Sequence, residues 1–339
     1  MNKRDWRGPT VAEIARASGL GTATIDRVLN ERPGVKARTR EKVMAAIEAL
    51  GVGAAAQAGR QRRRIGVMTD SGATFNNSLQ EAVGRFAELR PDMEFSFHAV
   101  STSEAKPIQL AQLLERLAEE ADALITVARE DVIINRAIRA VTARGIPVVC
   151  ITTDLPDSAR SFYVGSDQVG AGASAAFLMG RSVPAGEGKI LLVVSAPYRG
   201  QAEREMGFRS TLRAQFPHLV VDERVNSHDA FDYSRASVAK YLEEHGAPAG
   251  IYNVAGGNLG IGQALKDAGL DKSVIFIGHE LNANSRLLLE GGEMDFVIGH
   301  DLDAEVAQSA AAVEALLDGR PLPQPGKTPV RIFTKYNCH

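Results

Sequence analysis

The sequence predicts an α/β protein in two parts, a three-helix head carrying a helix-turn-helix followed by two α/β lobes built on parallel sheets. Within residues 10–50, short stretches with apolar residues at helical spacing are broken by Gly19-Leu20-Gly21 and by Arg32-Pro33-Gly34-Val35. From Arg64 onward, short apolar runs of strand length alternate with amphipathic stretches, the pattern of helical crossovers covering parallel strands on both faces. Charge divides at the same place. Residues 1–64 hold 14 Lys or Arg against 6 Asp or Glu, a net +8, whereas the remainder carries −10 within a total of −2. A basic head on an acidic body is the electrostatic footprint expected of nucleic-acid binding confined to one end.

The chain of 339 residues is long enough for two or three compact units. No apolar run reaches the roughly 18 residues a membrane-spanning helix needs, and Met1–Trp6 lacks the apolar centre of a secretory signal. Of the two cysteines, Cys150 falls in an apolar strand as a buried inert thiol and Cys338 is in the tail. Without a disulfide framework a cytoplasmic protein is expected. No nucleophile elbow, phosphate loop or metal-ligand spacing is present, so neither an enzyme nor a cofactor is expected.

In the head, Thr10 and Glu13 form a capping box, each side chain satisfying an orphan amide at a helix start. Val11, Ile14, Ala15 and Ser18 follow at helical spacing, and the glycines of Gly19-Leu20-Gly21 permit a sharp reversal. A second helix from Thr22 to about Asn30 is predicted to bury Ile25, Val28 and Leu29; Val43, Ile47 and Leu50 mark the inner face of a third. A short exposed helix fits the major groove and presents its first residues to base edges. There Arg27 can form a bidentate contact with guanine, Thr22 can bond a base or phosphate, and Ala23 can pack on a thymine methyl. Thr10, Thr22, Ala23, Thr24, Arg27, Asn30 and Arg40 are the expected DNA-facing set.

This stretch resembles the lactose-repressor (LacI/GalR) family of bacterial transcription regulators. The resemblance rests on Ile14-Ala15, Ser18-Gly19-Leu20, Ala23-Thr24-Ile25-Asp26-Arg27-Val28-Leu29-Asn30, Gly34-Val35 and Thr39-Arg40-Glu41-Lys42-Val43, in ungapped register. Two positions depart from the family: Gly21 replaces a capping serine, and Asp26 replaces a serine where a carboxylate repels phosphate unless a cytosine amino group meets it. The resemblance implies a dimer, or a tetramer, reading a palindromic double-stranded operator. Residues 51–64 are the expected hinge, shorter than in the family and without a large apolar residue to wedge into the minor groove. Glycines weaken any helix there, while Arg60, Arg62, Arg63 and Arg64 supply phosphate contacts.

Beyond residue 64, predicted strands are Ile65–Thr69, Phe95–Val100, Ala123–Val127, Val148–Thr152, Phe162–Gly165, Ile190–Ser195, Val220–Val225, Gly250–Val254, Val274–Gly278 and Phe296–Gly299. Predicted helices include Ser78–Arg90, Ile108–Glu119, Gln168–Gly180, Glu203–Phe216, Ser234–His245 and Gly260–Ala268. Residues 65–339 thus form two lobes, and ligands of such sheets bind beyond the carboxyl ends of the strands. The resemblance continues over this body, which looks like the type-1 periplasmic sugar-binding fold used as a ligand sensor. It implies that Phe75 stacks on a ligand ring, that Asn76 and Asp154 bond hydroxyls, and that Arg204 points a donor fork into the cleft. It further implies an aromatic at Tyr233, with Phe231 as competitor, and acceptors or donors at Glu280 and His300. Gly256-Gly257 stands where the family has Asn-Asp, leaving Asn253 and Asn258 as the polar groups of that loop. A metal site from His279, Glu280, His300 and Asp301 lacks a supporting spacing, so none is expected. The resulting expectation is a sugar- or polyol-responsive regulator whose ligand changes the spacing of two paired heads. The alternative is a solute-binding receptor or sensor of the same fold without tight operator binding.

Overall fold

The computed structural model describes residues 10–30, 32, 35–36, 38–47, 62–104, 106–184, 186, 188–324 and 327–339. Contacts divide the chain into two compact units that meet between Arg62 and Arg63. In the first, α1 (Val11–Ser18) and α2 (Thr22–Leu29) are joined by Gly19 in the left-handed region at φ 65°, and residues 38–47 form α3. The capping box is present, with Glu13 N–H donating to Thr10 Oγ1 at 3.3 Å and Thr10 N–H to Glu13 Oε2 at 2.7 Å. Ile14, Ile25, Val28, Val43 and Ala46 make the core. Leu29, expected inside, is exposed, because one residue past Val28 turns it about 100° away from the buried line. Gly21 caps α2 without a side-chain bond, as its lack of a side chain requires. Pro33, Gly34, Leu50 and hinge residues 51–61 lie outside the described residues.

The second unit holds two sheets. β1 (Arg63–Thr69), β2 (Met93–Ala99), β3 (Ala123–Val127), β4 (Val148–Ile151) and β5 (Phe162–Val164) form a parallel sheet in the order β2-β1-β3-β4-β5. β6 (Gly188–Val194), β7 (Leu219–Asn226), β8 (Gly250–Asn253), β9 (Ile275–His279), β10 (Phe296–Gly299) and β11 (Arg331–Phe333) form the second, in the order β11-β10-β9-β8-β6-β7. β11 runs antiparallel to β10, a departure from the all-parallel expectation; three residues at a sheet edge carry no pattern that a sequence reading detects. Packed on the first sheet are α4 (Ala73–Leu89), α5 (Pro107–Glu120), α6 (Val132–Ala143) and the late helix α12 (Leu302–Leu317). The second sheet carries α7 (Gln168–Ser182), α8 (Arg199–Gln215), α9 (Phe231–His245), α10 (Asn258–Asp267) and α11 (Ala283–Gly291). The chain therefore crosses between lobes after β5, after β10 and after α12, and Ser166 bridges to Thr328 between the first and third crossings. Among the described residues no helix is long and apolar enough to cross a membrane.

Two details bear on the site. Arg63 and Arg64, expected in the hinge, open β1 instead and are held by the body: Arg63 pairs with Asp318 at 2.6 Å and Arg64 with Asp122 at 2.9 Å. Helices α4, α8, α9 and α10 also start two to five residues earlier than predicted, at Ala73, Arg199, Phe231 and Asn258. Their N-caps make no side-chain capping bond, so the usual sequence marker of a helix start is missing. Phe75, Gln201, Phe231 and Asn258 consequently ride on first helical turns rather than in loops.

Candidate functional site: the cleft between the lobes

Both sheets aim the carboxyl ends of their parallel strands at a common cleft with about 980 Å³ of empty space, mouth included. Three residues that follow strands, Thr152, Asp229 and Glu280, adopt left-handed backbone at φ 66°, 55° and 67°, and all three line the cleft. Non-glycine residues hold such conformations only where their surroundings over-determine them, and they concentrate at ligand clamps. Phe75 enters from the first lobe and Phe231 from the second, and Tyr198 of the second lobe also lines the cleft.

The polar residues are tied together. Arg204, buried on α8, donates from Nε to Gln168 Oε1 at 2.7 Å, from Nη1 to the Val254 carbonyl at 3.0 Å, and from Nη2 to Glu280 Oε1 at 3.2 Å. Behind Glu280, His300 Nε2 lies 2.9 Å from Glu280 Oε2, and His300 Nδ1 lies 2.7 Å from Glu305 Oε1. Burial alone would push the Glu280 carboxyl up, but His300 and then Arg204 hold it well below the usual carboxylate range. Burial likewise opposes protonation of His300, and Glu280 and Glu305 overcome it, raising the imidazole well above its ordinary value. His279 moves the other way: burial and then Arg204 keep it neutral, with Nε2 2.8 Å from Tyr252 Oη.

On the opposite wall Asp229 accepts from Thr102 Oγ1 and Ser195 Oγ, both at 2.9 Å, and from Gly256 N–H at 2.7 Å. Thr102 belongs to the first lobe and the other two to the second, so this carboxylate spans the cleft. Tyr198 Oη adds a second bridge by donating to the Asp70 carbonyl and contacting Thr102 Oγ1 at 3.2 Å. Asp70 itself pairs with Arg129 at 2.6 Å; burial raises its carboxyl to about 6 against the pull of that guanidinium.

Of the predicted ligand-binding residues, Phe75, Arg204, Asn258 and Glu280 meet on the cleft. The others are placed elsewhere for identifiable reasons. Asn76 turns into its own lobe, accepting from Thr69 Oγ1 at 2.9 Å and donating to the Ser71 carbonyl at 2.8 Å. Asp154 is taken by Arg160, which donates from both Nε and Nη2, and by the Leu155 N–H. Asn253 is fully buried and spends its amide on Gly256 O and Asn258 Oδ1, stiffening the loop. Tyr233 is exposed and packs edge-on against His228, leaving Phe231 as the aromatic on the cleft. His300 sits one layer behind Glu280. Sequence reasoning missed Asp229, Gln168 and Tyr198; only the strand-end loop Asn226-Ser227-His228-Asp229 offered a signal.

On the head, Thr22, Ala23, Arg27, Asn30 and Arg40 are exposed and Thr24 is half-buried. Thr10 is exposed and engaged with Glu13. Asn30 Nδ2 donates to Asp26 O and Oδ1, both at 2.8 Å, and Arg32 lies 3.6 Å from the other Asp26 oxygen. That carboxylate is thereby partly offset where it would face phosphate.

Residues 65–321 match the family described as "Periplasmic binding protein domain", and residues 10–51 match "Bacterial regulatory proteins, lacI family". Over 41 residues the chain is 51% identical to the HTH-type transcriptional regulator MalR of Streptomyces coelicolor and, equally, to the regulator reg1 of Streptomyces lividans. Each match covers 12% of this chain and 12% of the relative. Among solved structures, the glucose-galactose binding protein GanP of Geobacillus stearothermophilus aligns with TM-score 0.74 at 18% identity, over 82% of this chain and 99% of its own. An ABC transporter solute binding protein of Burkholderia graminis in complex with D-arabinose aligns with TM-score 0.74 at 19% identity, over 82% and 98%. At such identity these likenesses concern the fold.

Proposed function

Because the chain belongs to the periplasmic binding protein domain family and carries a lacI-family regulatory segment ahead of it, we propose that it is a ligand-responsive transcriptional regulator. The supporting observation is the joining, on one chain, of a helix-turn-helix with exposed Thr22, Ala23 and Arg27 to a two-lobed cleft. The DNA-facing set is Thr10, Thr22, Ala23, Thr24, Arg27, Asn30 and Arg40, on double-stranded operator DNA. A homodimer supplies the second head, since one head reads one half-site. Such a regulator works in the cytoplasm, on the nucleoid.

The effector is a sugar or related polyol. Hydroxyl groups both donate and accept, which suits a cleft that offers the Glu280 carboxylate, the remaining Arg204 N–H groups and the uncapped starts of α4, α9 and α10 beside Phe75 and Phe231. Asp229 completes this ligand set; Asn258 lines the cleft but spends its amide on the His279 carbonyl and on the Asn253 amide. The sugars named for the solved structures of this fold, glucose, galactose and arabinose, are the first to try. Their binding favours one lobe arrangement and shifts the population of DNA-competent dimers.

A thermal-shift screen of the full chain against neutral sugars, polyols, sugar acids, sugar phosphates and nucleosides tests this. A ligand at about 100 times its Kd adds about 2.7 kcal/mol, a rise on the order of 5–10 °C for a domain of this size. One neutral sugar or polyol standing out is the expected result. Silence from every sugar and polyol, with a shift from a nucleoside, overturns the effector class and leaves the regulator reading to the DNA.

A further inference from the structure

Glu280 is a cleft residue, yet its partners lead out of the cleft and into the crossings between the lobes. From Arg204 the chain of contacts passes to Gln168, whose Nε2 donates to the Thr152 carbonyl at 3.1 Å. Thr152 Oγ1 donates to Glu305 Oε2 at 2.8 Å, and Glu305 Oε1 meets His300 Nδ1 at 2.7 Å. His300 Nε2 makes no hydrogen bond but lies 2.9 Å from Glu280 Oε2 as an ion pair, and this charge contact closes a ring of Thr152, Glu305, His300, Glu280, Arg204 and Gln168.

Each of the three lobe crossings contributes to it. Gln168 follows the first crossing and also donates to Ser166 Oγ within it at 3.2 Å. His300 lies in the second, and Thr328, in the third, donates to Glu305 Oε1 at 2.8 Å. Glu305 is fully buried and stands in the first lobe on α12. A carboxyl group so placed is tolerated only while its partners stay within hydrogen-bond range.

We propose that His300 and Glu305 are positioning residues that hold Glu280 as the cleft's acceptor and thereby tie its occupancy to the angle between the lobes. This rests on reading the cleft as the effector site. Hydrogen bonds weaken steeply outside their narrow distance range, so the ring is satisfied at one lobe angle and strained at others. A ligand hydroxyl drawing on Glu280 or Arg204 acts on the same bonds. The groups facing His300 are Glu280 and His279 at the end of β9, Glu305 on α12 and, one contact further, Arg204 on α8; Tyr163 on β5 lies near Glu305 and Arg204. Burial and then Arg204 lower His279, whereas Glu280 and Glu305 raise His300 against burial, so the ring's positive charge at this point rests on His300 and is lost as pH rises through its raised value.

The test is the ligand-free interlobe distance in the full chain, read by pulsed electron spin resonance between labels at Glu115→Cys on α5 and Lys240→Cys on α9. Both positions are exposed, and native Cys150 and Cys338 are buried. The parent is expected to give one narrow distribution that is the same at pH 5.5 and pH 8. His300→Gln removes the cation that joins Glu280 to Glu305 and leaves Glu280 with Arg204 alone, so its distribution is expected to gain a longer population and to change between the two pH values. Thr328→Val removes one bond to Glu305 at nearly constant shape, is expected to give a smaller lengthening, and decides the matter if His300→Gln fails to fold. Parent-like distributions in every variant that folds overturn the proposal. No sugar is used, so a silent sugar screen and an unchanged distance fail separately, the first striking the effector reading and the second this one.

Discussion

Replacing Gly172 by alanine is expected to destabilise the body and to disable the cleft, although alanine is the better helix former. Gly172 on α7 packs directly on the backbone of α8: a Cβ there would lie 1.9 Å from the Arg204 carbonyl oxygen and 2.7 Å from its carbon. Real Cβ contacts stay above about 3.0 Å, so α8 must retreat by roughly 1.1 Å at Arg204, since backbone cannot rotate aside as a side chain does. Overpacking of this kind costs about 1–3 kcal/mol, and the backbone-to-backbone clash puts this site at the upper end. Alanine returns about 1 kcal/mol of helix propensity, for a net loss of about 2 kcal/mol, or a melting temperature lower by about 4–8 °C. The same shift stretches the 3.2 Å Arg204–Glu280 contact beyond hydrogen-bond range. Gly84→Ala on α4 is the matched control. Nothing lies within 4 Å of its Cβ, so it should gain about 1 kcal/mol. Urea denaturation followed by circular dichroism reads both. A Gly172→Ala protein as stable as Gly84→Ala would refute the close-packing argument and the route from helix contact to cleft.

Two further outcomes follow from the cleft. Because burial raises the Asp70 carboxyl to about 6, the folded chain holds that proton more tightly than the unfolded one; the contribution is fully present below about pH 4 and is lost as pH rises through 6. Relative to Asp70→Asn, the parent should therefore lose on the order of 2–3 kcal/mol between pH 4 and pH 7, measured as the difference in urea midpoints; a flat difference would contradict the assignment. Phe231→Ala should weaken binding of the sugar found by thermal shift about fivefold, as loss of an aromatic contact of about 1 kcal/mol predicts. Tyr233→Ala, which removes a ring packed on His228 outside the cleft, should stay within about twofold by calorimetry.

Much of the fold was legible because most strands are short apolar runs alternating with helices that bury one side. Phe296–Gly299 and Ala123–Val127 match their predicted bounds. Helix starts were less legible, since Gly72, Tyr198, Ala230 and Gly257 cap their helices without side-chain bonds. In the cleft, Glu280, the residue that follows β9, and Arg204, on α8, were readable through the pattern of residues around them. What sequence could not separate is a polar side chain serving a ligand from one serving its own loop. Asn76 and Asn253 have the same residue type and strand-end position as a ligand contact, and differ only in partners at hand. Asp154 could not be told apart either, because its partner Arg160 returns six residues later over a short 3₁₀ turn. Asp229 was missed for the opposite reason: its strand-end loop offered a signal, but its role depends on Thr102, which is distant in sequence and brought to it only by apposition of the lobes.

The most direct measurement is DNA binding with and without effector. A duplex selected from a random pool by the full chain is titrated by fluorescence anisotropy, alone and with the sugar that shifts melting at saturation, with Arg27→Ala as control. The expected result is salt-dependent binding, an affinity changed at least about fivefold by the sugar, and a loss of roughly 5- to 150-fold in Arg27→Ala from about 1–3 kcal/mol of lost base contact. Equal affinity with and without saturating sugar, or a duplex bound as well by Arg27→Ala, would contradict the coupling of cleft to head.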